Sequence, residues 1–387
     1  MQFSDRMKNY EEGIFQVLDE MKVKKEQAGE KVYNFSVGTP DFKPAKHIMD
    51  AVTEAASHPE NYKYALKDMP ALLEAVKDRY HKRYHVEVET DEITSLYGSQ
   101  EGFAHIAFAL CNPGDIFLVP NPGYPVFTFG PSLAGVKIVT YDLIEEIGYL
   151  PDLSAIDEET AKAAKCIVVS YPLNPVCKCA PPSFYEKLIA WAKKYDVIVL
   201  HDNAYSDIVY DGKEGRSFLS YEGAREVGVE FYSLSKSYNY TGARVSFLVG
   251  NKELIRTFKK LRSQIDYGTF LPVQMGAIAA LNGPDDFVIS QCQAYEERRN
   301  ALCDGFTNAG WKFERSEGTM FAWAKIPAKY QDDVEFVKDL FEKTGVLCTP
   351  GSSFGTLGKG HVRFALVLPV EVIKEAVEKV RESGILL

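Results

Sequence analysis

One lysine of this 387-residue chain has neighbours that suit chemistry better than solubility. Lys236 lies between two serines, directly after the apolar run that we predict as a strand over residues 230–234, and Arg244 follows eight residues later. Burial of the amine and a nearby guanidinium would both lower the pKa of Lys236. An amine with a lowered pKa can form a Schiff base with a carbonyl compound. The sequence therefore indicates carbonyl chemistry at this lysine.

Two more polar segments directly follow predicted strands. Asp202 ends the apolar run over residues 197–201, where an ionised carboxylate needs a cation or several hydrogen-bond donors. A salt bridge to a local Lys or Arg and a bound positive group are both open as its partner. Ser99 and Gln100 begin a predicted helix, whose free N–H groups could hold a phosphate, although Gly-Ser before a helix is also an ordinary cap.

A sheet must position these segments. Short apolar runs alternate with helix-length stretches and predict seven strands, over residues 93–97, 116–119, 137–143, 166–170, 197–201, 230–234 and 245–249. Near-continuous Val and Ile runs of this kind favour an α/β fold with a mostly parallel sheet covered by helices on both faces. Because ligands bind beyond the carboxyl ends of such strands, we expect the three polar segments to converge.

The pattern of elements changes near residue 284. From here the sequence predicts one long helix and then shorter strands, over residues 284–309, 312–326, 346–349 and 361–366. This indicates a smaller α+β unit. The helical spacing over residues 10–28 has no sheet of its own to pack on. We therefore predict a large domain over residues 46–283 and a discontinuous small domain formed by residues 1–45 and 284–387.

Composition and charge exclude some classes of binding partner and indicate the cellular compartment. Asp and Glu outnumber Lys and Arg by 54 to 44, a net charge of −10, so nucleic acid and anionic membranes are poor partners. The first residues lack the apolar core of a signal peptide, and no apolar run is long enough to span a membrane. The seven cysteines are an odd number scattered along the chain. We expect reduced thiols, no metal site and a cytoplasmic protein.

Three weaker motifs favour structural interpretations. The Gly-rich stretch over residues 351–360 departs from the phosphate-loop pattern and predicts a mobile surface loop. His81 and His85 have metal-compatible spacing, but the basic residues between them favour a solvated helix face. Cys177 and Cys179 are too close together for a zinc knuckle, and no second pair is nearby. We assign none of these motifs a chemical role.

Three motifs occur in a fixed order along the chain. Asn174-Pro175 comes first, Asp202-x-x-Tyr205 follows about thirty residues later, and Ser-Leu-Ser-Lys at residues 233–236 precedes Arg244. In combination they resemble the class I and II pyridoxal-phosphate aminotransferases of fold type I, and most closely their LL-diaminopimelate aminotransferase branch. The resemblance extends from about residue 30 to the C-terminus. It implies pyridoxal 5′-phosphate as the cofactor and transfer of an amino group between an L-amino acid and a 2-oxo acid.

The resemblance also implies roles for residues around the cofactor ring. Lys236 would carry the cofactor and then move protons as acid and base. Asp202 would pair with the pyridinium nitrogen, so that the cation facing this carboxylate is the cofactor itself. Asn174 and Tyr205 would hydrogen-bond the ring oxygen. Tyr124 would stack on the ring and, with Asn174, border the substrate.

Further roles concern the phosphate and the substrate. The phosphate would lie among the donors of Ser99, Gln100, Ser233 and Arg244. Arg363 would bind the substrate carboxylate from the smaller domain, and the backbone of Gly38 would approach the same carboxylate. Closing the smaller domain over the amino acid would exclude water during proton transfer.

The resemblance implies a homodimer with shared active sites. The tyrosine that reaches the neighbouring subunit's phosphate matches Tyr64 best, with Tyr62 as an alternative because Asp68-Met69 replaces the usual turn. Residues 267–270 are a second expected inter-subunit loop. Two further departures from the family are Val176-Cys177 after Asn-Pro, where Thr-Gly is usual, and Gln100 in place of a frequent Lys.

Two other functions are compatible with the same residues. Amino-acid lyases, including C–S lyases, use the same Lys, Asp and Arg set and differ in what stands above the ring. A catalytically silent binding protein could keep the fold, but the intact Lys236, Asp202, Tyr205 and Arg363 stand against it. The sequence does not indicate which amino acid is preferred, and the branch resemblance alone suggests diaminopimelate.

Overall fold

A computed structural model describes residue 1, residues 3–9 and residues 14–387 of the chain. The described residues form twelve strands: β1 (Tyr33–Asn34), β2 (Ile93–Leu96), β3 (Ile116–Asn121), β4 (Lys137–Asp142), β5 (Ala164–Ser170), β6 (Ile198–Asn203), β7 (Gly228–Ser233), β8 (Ser246–Gly250), β9 (Phe321–Lys325), β10 (Val346–Leu347), β11 (Thr349–Pro350) and β12 (His361–Ala365). They also form fourteen α-helices: α1 (Ile14–Gln27), α2 (Lys46–Ala56), α3 (Pro70–Tyr84), α4 (Ser99–Leu110), α5 (Val126–Ser132), α6 (Glu158–Ala163), α7 (Pro182–Tyr195), α8 (Ala224–Val227), α9 (Leu234–Ser237), α10 (Lys252–Arg262), α11 (Leu271–Asn282), α12 (Asp286–Asn308), α13 (Asp333–Thr344) and α14 (Val370–Glu382).

Seven strands form the central sheet in the order β2-β8-β7-β6-β5-β3-β4. Neighbours from β7 to β4 run parallel, whereas β8 runs antiparallel to both β7 and β2. Each strand overlaps the apolar run that predicted it. The predicted α/β fold with a mostly parallel sheet of seven strands is therefore confirmed.

Both faces of this sheet are buried, as the continuous apolar runs predicted. Along β5, Cys166 and Val168 pack in one apolar core with residues of α4 and α10. The alternating residues Ile167 and Val169 pack in the other core with residues of α3 and α7. Successive side chains of a strand point to opposite faces, so a strand covered on both sides is apolar throughout.

The predicted helices match the structure within one to three residues at most ends. Helix α3 spans residues 70–84, because Pro70 suits the first helical turn and His85 takes the left-handed conformation (φ 57°) that ends it. His85 is thus a cap beyond the helix, and His81 lies on the exposed face as predicted. Of the helix predicted over residues 10–28, residues 10–13 lie outside the described part of the chain.

Segments from both ends of the chain pack together. Strand β1 pairs in parallel with β10, and β11, β12 and β9 form a separate antiparallel sheet. Helix α1 contacts α13, where Lys25 Nζ donates to the Glu342 carbonyl oxygen at 3.2 Å. The boundaries of the two domains, at residues 45/46 and 283/284, remain a prediction.

Two predictions about the C-terminal third are correct only in part. The strand predicted over residues 312–326 is confined to β9, because Trp311 and Phe313 pack their rings into the core and the backbone of Ser316 and Glu317 bonds to other segments. The Gly-rich stretch 351–360 lies at the surface only in part, because Gly351, Phe354 and Gly358 are buried, whereas residues 355–357 and 359 are exposed.

That stretch is held against the protein by several hydrogen bonds. Asn121 bonds to Thr356 Oγ1 at 2.8 Å and to the Leu357 backbone N–H at 3.1 Å. Asp333 accepts from the Ser352 N–H at 2.7 Å. Phe354 is buried within it. The glycines permit tight turns, which allow the segment to fold back against the end of β3.

No helix in the described ranges is both long and apolar enough for a transmembrane span.

Candidate active site

One large cleft opens at the carboxyl ends of the parallel strands, with a volume of about 1120 Å³. Eleven of the twelve residues singled out from the sequence line it: Gly38, Ser99, Gln100, Tyr124, Asn174, Asp202, Tyr205, Ser233, Lys236, Arg244 and Arg363. They come from segments as far apart as residues 38 and 363. The predicted convergence of the polar segments is therefore present in the structure.

Lys236 lies in the single turn of α9, which begins directly at the end of β7. The Ser233 hydroxyl caps this turn by accepting from the Ser235 N–H at 3.2 Å. The lysine Nζ donates to the Gly38 carbonyl oxygen at 2.6 Å. Burial, followed by the positive charges of Arg363 and Arg244, lowers the pKa of Lys236 to about 8. The amine can therefore lose its proton near neutral pH.

Asp202 is a buried carboxylate to which no described Lys or Arg is paired. Its Oδ2 accepts a long hydrogen bond of 3.5 Å from Ser170 Oγ, and its Oδ1 has no partner among the described residues. Burial raises the pKa of Asp202 to about 6. The salt bridge to a local Lys or Arg, one of the two options left by the sequence, is not formed by the described residues. The carboxylate is thus available to a bound cation.

The turn from β2 into α4 forms a cradle for an anion. Gly98 adopts φ +86°, and a Cβ at this position would overlap the Arg244 guanidinium. Arg244 Nη1 donates to the Thr241 carbonyl oxygen at 3.0 Å, which holds the guanidinium beside the start of α4. Ser99 Oγ is buried there without a partner in the described chain. Free N–H groups, a hydroxyl and a guanidinium together suit a phosphate.

Arg363 is a buried cation on β12 whose partners are neutral. It donates to Asn174 Oδ1 at 2.9 Å and to the Ser36 carbonyl oxygen at 3.3 Å, and its Nε has no partner among the described residues. Burial lowers the pKa of Arg363 to about 10. A buried guanidinium with neutral partners is strongly stabilised by a bound carboxylate.

Aromatic side chains close the remaining walls. Tyr124 Oη donates to Gln100 Oε1 at 3.3 Å, and the Tyr205 ring lies 5.9 Å from that of Phe321. Burial and the nearby Asp202 raise the pKa of both tyrosines. Both phenols therefore stay protonated near neutral pH and can donate hydrogen bonds.

Several cleft residues escaped the sequence interpretation. The rings of Phe321 and Phe354 lie 4.1 and 4.6 Å from the Arg363 guanidinium. Phe321 was hidden in an apolar strand, and Phe354 in the Gly-rich stretch that predicted a surface loop. Glu101 and His105, paired at 2.5 Å, also line the cleft, and their i, i+4 spacing on α4 was the available signal.

Tyr64 lies outside this cleft. Its side chain is 77 % exposed, and its ring packs against that of Tyr267 at 5.1 Å. Tyr62, the alternative, donates instead to the Ala56 carbonyl oxygen. Neither tyrosine lines the cleft of the single chain.

The unsatisfied groups of the cleft define the class of the protein. Asp202 Oδ1 is free to bind a cation, Ser99 Oγ with the start of α4 suits an anion, and Lys236 offers an amine with a lowered pKa. Pyridoxal phosphate combines a basic ring nitrogen, a phosphate and an aldehyde. The site at the edge of this sheet is therefore that of a pyridoxal-phosphate enzyme.

Comparison with known proteins gives the family. Residues 30–380 match the family model described as aminotransferase class I and II. The chain belongs to this family, whose cofactor is pyridoxal phosphate, and it is an enzyme that moves an amino group between an amino acid and a 2-oxo acid. The lyase and the silent binding protein are not favoured.

Individual relatives cover nearly the whole chain. The LL-diaminopimelate aminotransferase of Halothermothrix orenii is 42 % identical over 387 residues, which cover 100 % of this chain and 99 % of the relative. The glutamate-pyruvate aminotransferase AlaC of Escherichia coli is 38 % identical over 97 % of this chain and 92 % of its own. The substrate-bound BacF structure from Bacillus subtilis has a TM-score of 0.95 at 34 % identity, covering 99 % and 98 % of the two chains.

Proposed function

We propose that Lys236 is the catalytic amine of this transaminase and that Asp202 holds the pyridine nitrogen of the cofactor. The observation that carries the proposal is the pairing of a lysine whose pKa falls to about 8 with a buried carboxylate oxygen that has no partner among the described residues. Both groups line the same cleft. An ionised Asp202 would keep the ring nitrogen protonated.

The remaining cofactor contacts are proposed by position. Ser99, Gln100, Ser233 and Arg244 would hold the phosphate, Tyr124 would stack on the ring, and Asn174 and Tyr205 would bind the ring oxygen. Support comes from the free hydroxyl of Ser99 and from the raised pKa of Tyr205, which keeps its phenol a donor. These four phosphate donors, from three segments, would fix the cofactor so that its ring nitrogen is within reach of Asp202.

The substrate would bind through its α-carboxylate to Arg363. This guanidinium is buried, has neutral partners, and lies between two phenyl rings that exclude water. Gly38 borders the same cleft, and the hydrogen bond from Arg363 Nη1 to Asn174 Oδ1 keeps the guanidinium oriented. Binding at this point would place the substrate Cα within the cleft that also holds Lys236.

Pyridoxal phosphate, when bound, takes up the amino group and stores the electron pair released at the substrate Cα. Lys236 Nζ would take the Cα proton and return it to the carbon that receives the amino group. A lysine with a pKa near 8 suits both directions, because neither protonation state is strongly favoured at neutral pH. Phe321 and Phe354 would keep water away during these transfers.

LL-diaminopimelate is the proposed first amino acid to test. Relatives named for it include chains from Halothermothrix orenii and Aquifex aeolicus, at 42 and 41 % identity. Alanine and glutamate are the second choice, since the Escherichia coli relative is a glutamate-pyruvate aminotransferase. A half-reaction screen read from cofactor absorbance would separate these substrates.

We also propose a cytoplasmic homodimer. The support is an aromatic face formed by Tyr62, Tyr64, Leu66, Tyr267 and Phe270, all exposed in the single chain. Contiguous apolar surface of this kind marks an interaction site. The reducing compartment is supported by the cysteines, all seven of which are free thiols.

Trapping of the lysine tests the proposed function. Borohydride reduction of the cofactor-loaded enzyme, followed by peptide mapping, is expected to place the label on Lys236. Lys236→Arg should carry no label and should lose activity by at least about a thousandfold. Lys259, a half-buried lysine outside the cleft, provides the control as Lys259→Arg, which should retain both label and activity. A label on any other side chain would contradict the proposal.

A further inference from the structure

Gln291 contacts the main chain of Lys236 from outside the central sheet. Its Nε2 donates to the Lys236 carbonyl oxygen at 2.6 Å, and its Oε1 accepts from Asn239 Nδ2, also at 2.6 Å. Gln291 lies on α12 and is 4 % exposed. The contact joins the long helix α12 to the residue with the proposed central role.

The Lys236 carbonyl needs such a partner because α9 is one turn long. The last carbonyls of a helix have no N–H partner within it. In α9, Leu234 O accepts from the Tyr238 N–H at 3.2 Å, and Ser235 O accepts from Thr241 Oγ1 at 2.8 Å. The Lys236 carbonyl is served by Gln291 instead. Without this amide the buried carbonyl would lose its side-chain donor.

Lys236 is therefore held at both ends by segments outside the central sheet. The Gly38 carbonyl accepts from its Nζ at 2.6 Å, while Gln291 fixes its main chain. Gly38 and Gln291 both belong to the predicted small domain. The position of Nζ depends on the main chain and on the four rotatable bonds of the lysine side chain. Hydrogen bonds to both the main-chain carbonyl and Nζ therefore restrain the amine.

We propose that Gln291 is a positioning residue for Lys236, fixing its main chain so that the amine stays in the cleft beside the Gly38 carbonyl oxygen. This rests on the proposed role of Lys236 in transamination. Asn239 supports the arrangement from the other side, because it holds the Gln291 amide and contacts the Lys43 carbonyl oxygen at 3.5 Å. The residue acts through the main chain and does not line the cleft.

The test measures the Lys236 amine directly in the cofactor-free protein. Competitive labelling with acetic anhydride across pH, followed by mass mapping, gives the pKa of individual lysines. Gln291→Met keeps the length of the side chain and removes both hydrogen bonds. We expect a rise in the Lys236 pKa of about 0.5 unit, because a loosened amine reaches more water, and hence about threefold slower labelling below pH 8. In the loaded enzyme, kcat should fall about tenfold with the amino-acid KM within twofold.

Thr344→Val is the matched control. Thr344 is also buried on a helix, donates to the Leu340 carbonyl oxygen at 2.6 Å and accepts from the Val346 N–H at 3.1 Å, but lies far from Lys236 in sequence and outside the cleft. It should lose stability without changing the Lys236 pKa. Gln291→Asn, which keeps an amide but cannot reach as far, serves if Gln291→Met does not fold.

The outcomes separate the two proposals. If both Gln291 variants leave the Lys236 pKa and kcat unchanged, the positioning role is wrong, while borohydride labelling at Lys236 still supports the proposed function. If borohydride marks a different residue in the unchanged protein, the proposed function fails and this inference fails with it. A shift in pKa and kcat in the Gln291 variants alone is the expected result.

Discussion

Two buried aspartates five residues apart show how the surroundings decide what a carboxylate can do. Asp202 has no cationic partner among the described residues, and burial raises its pKa to about 6. Asp207 is equally buried, but Arg79 and Arg83 contact its Oδ1 at 3.0 and 3.2 Å. Burial alone would raise its pKa, and the two guanidinium groups outweigh this and lower it. Under the proposed function the Asp202 carboxylate binds the cofactor, whereas the Asp207 carboxylate forms ion pairs within the fold.

The contrast between Asp202 and Asp207 predicts that removal of the carboxylate charge changes the free energy of unfolding in opposite directions at the two positions. In the folded, cofactor-free protein Asp202 holds its proton up to about pH 6, against 3.8 without burial, so stability falls as pH rises through this window. Asp202→Asn never ionises. It should therefore gain up to about 3 kcal/mol of unfolding free energy at pH 7 and nothing near pH 3.5. Urea unfolding of the cofactor-free protein at both pH values measures this difference.

Asp207→Asn is the control for that experiment. Removing the charge takes the shared partner from the buried Arg79, which keeps only the more exposed Asp285, and from the partly buried Arg83, so this variant should lose about 3 kcal/mol at pH 7. The same substitution at two buried sites would thus change stability in opposite directions. Equal destabilisation of both variants at pH 7 would show that Asp202 already has a cationic partner in the cofactor-free protein.

At the scale of elements, Gly98 in the turn between β2 and α4 is restricted both by its backbone conformation and by a neighbouring side chain. Gly98 has φ +86°, and a Cβ there would overlap the Arg244 guanidinium. Gly114 has a similar φ of +91°, but a Cβ at that position would meet no other atom within 4 Å. The two glycines share the backbone strain and differ in what surrounds them.

Alanine substitutions separate the cost of the backbone conformation from the cost of overlap with Arg244. Gly114→Ala should cost about 1–2 kcal/mol, the usual cost of a left-handed conformation for a residue with a Cβ. Gly98→Ala should cost about 1–3 kcal/mol more, because Arg244 must move, and should weaken cofactor binding about tenfold. Thermal unfolding and fluorescence titration with pyridoxal phosphate measure the two effects. Equal losses in both variants would mean that Arg244 has room to shift.

Elements also explain what the sequence could and could not predict. The seven strands and the polar residues at their ends follow from local patterns, because a strand covered on both faces must be apolar until it reaches the cleft. Phe354 and Tyr64 depend on distant contacts. Phe354 reaches Arg363 because Asn121 and Asp333 fold the Gly-rich stretch inward, and neither bond has a local signal.

At the scale of the whole molecule, the cleft and the aromatic face raise the same question, which is whether a second surface covers the exposed tyrosines. One chain supplies eleven of the twelve predicted site residues to the cleft, yet Tyr64 lies outside it and pairs with Tyr267 on the surface. Tyr62 and Phe270 pair in the same way, with ring centroids 5.2 Å apart. Four exposed rings and Leu66 on one face cost solubility unless another surface covers them.

A charge placed on this face tests whether a second copy covers it. Leu66 is 72 % exposed in the single chain, so Leu66→Asp should fold normally. In a homodimer the carboxylate would be buried, and the dissociation constant should rise at least about a hundredfold. Ile289→Asp, an exposed apolar position on α12, should leave association unchanged. Sedimentation velocity over a dilution series measures both, and a wild-type protein that is monomeric at micromolar concentration would contradict the homodimer.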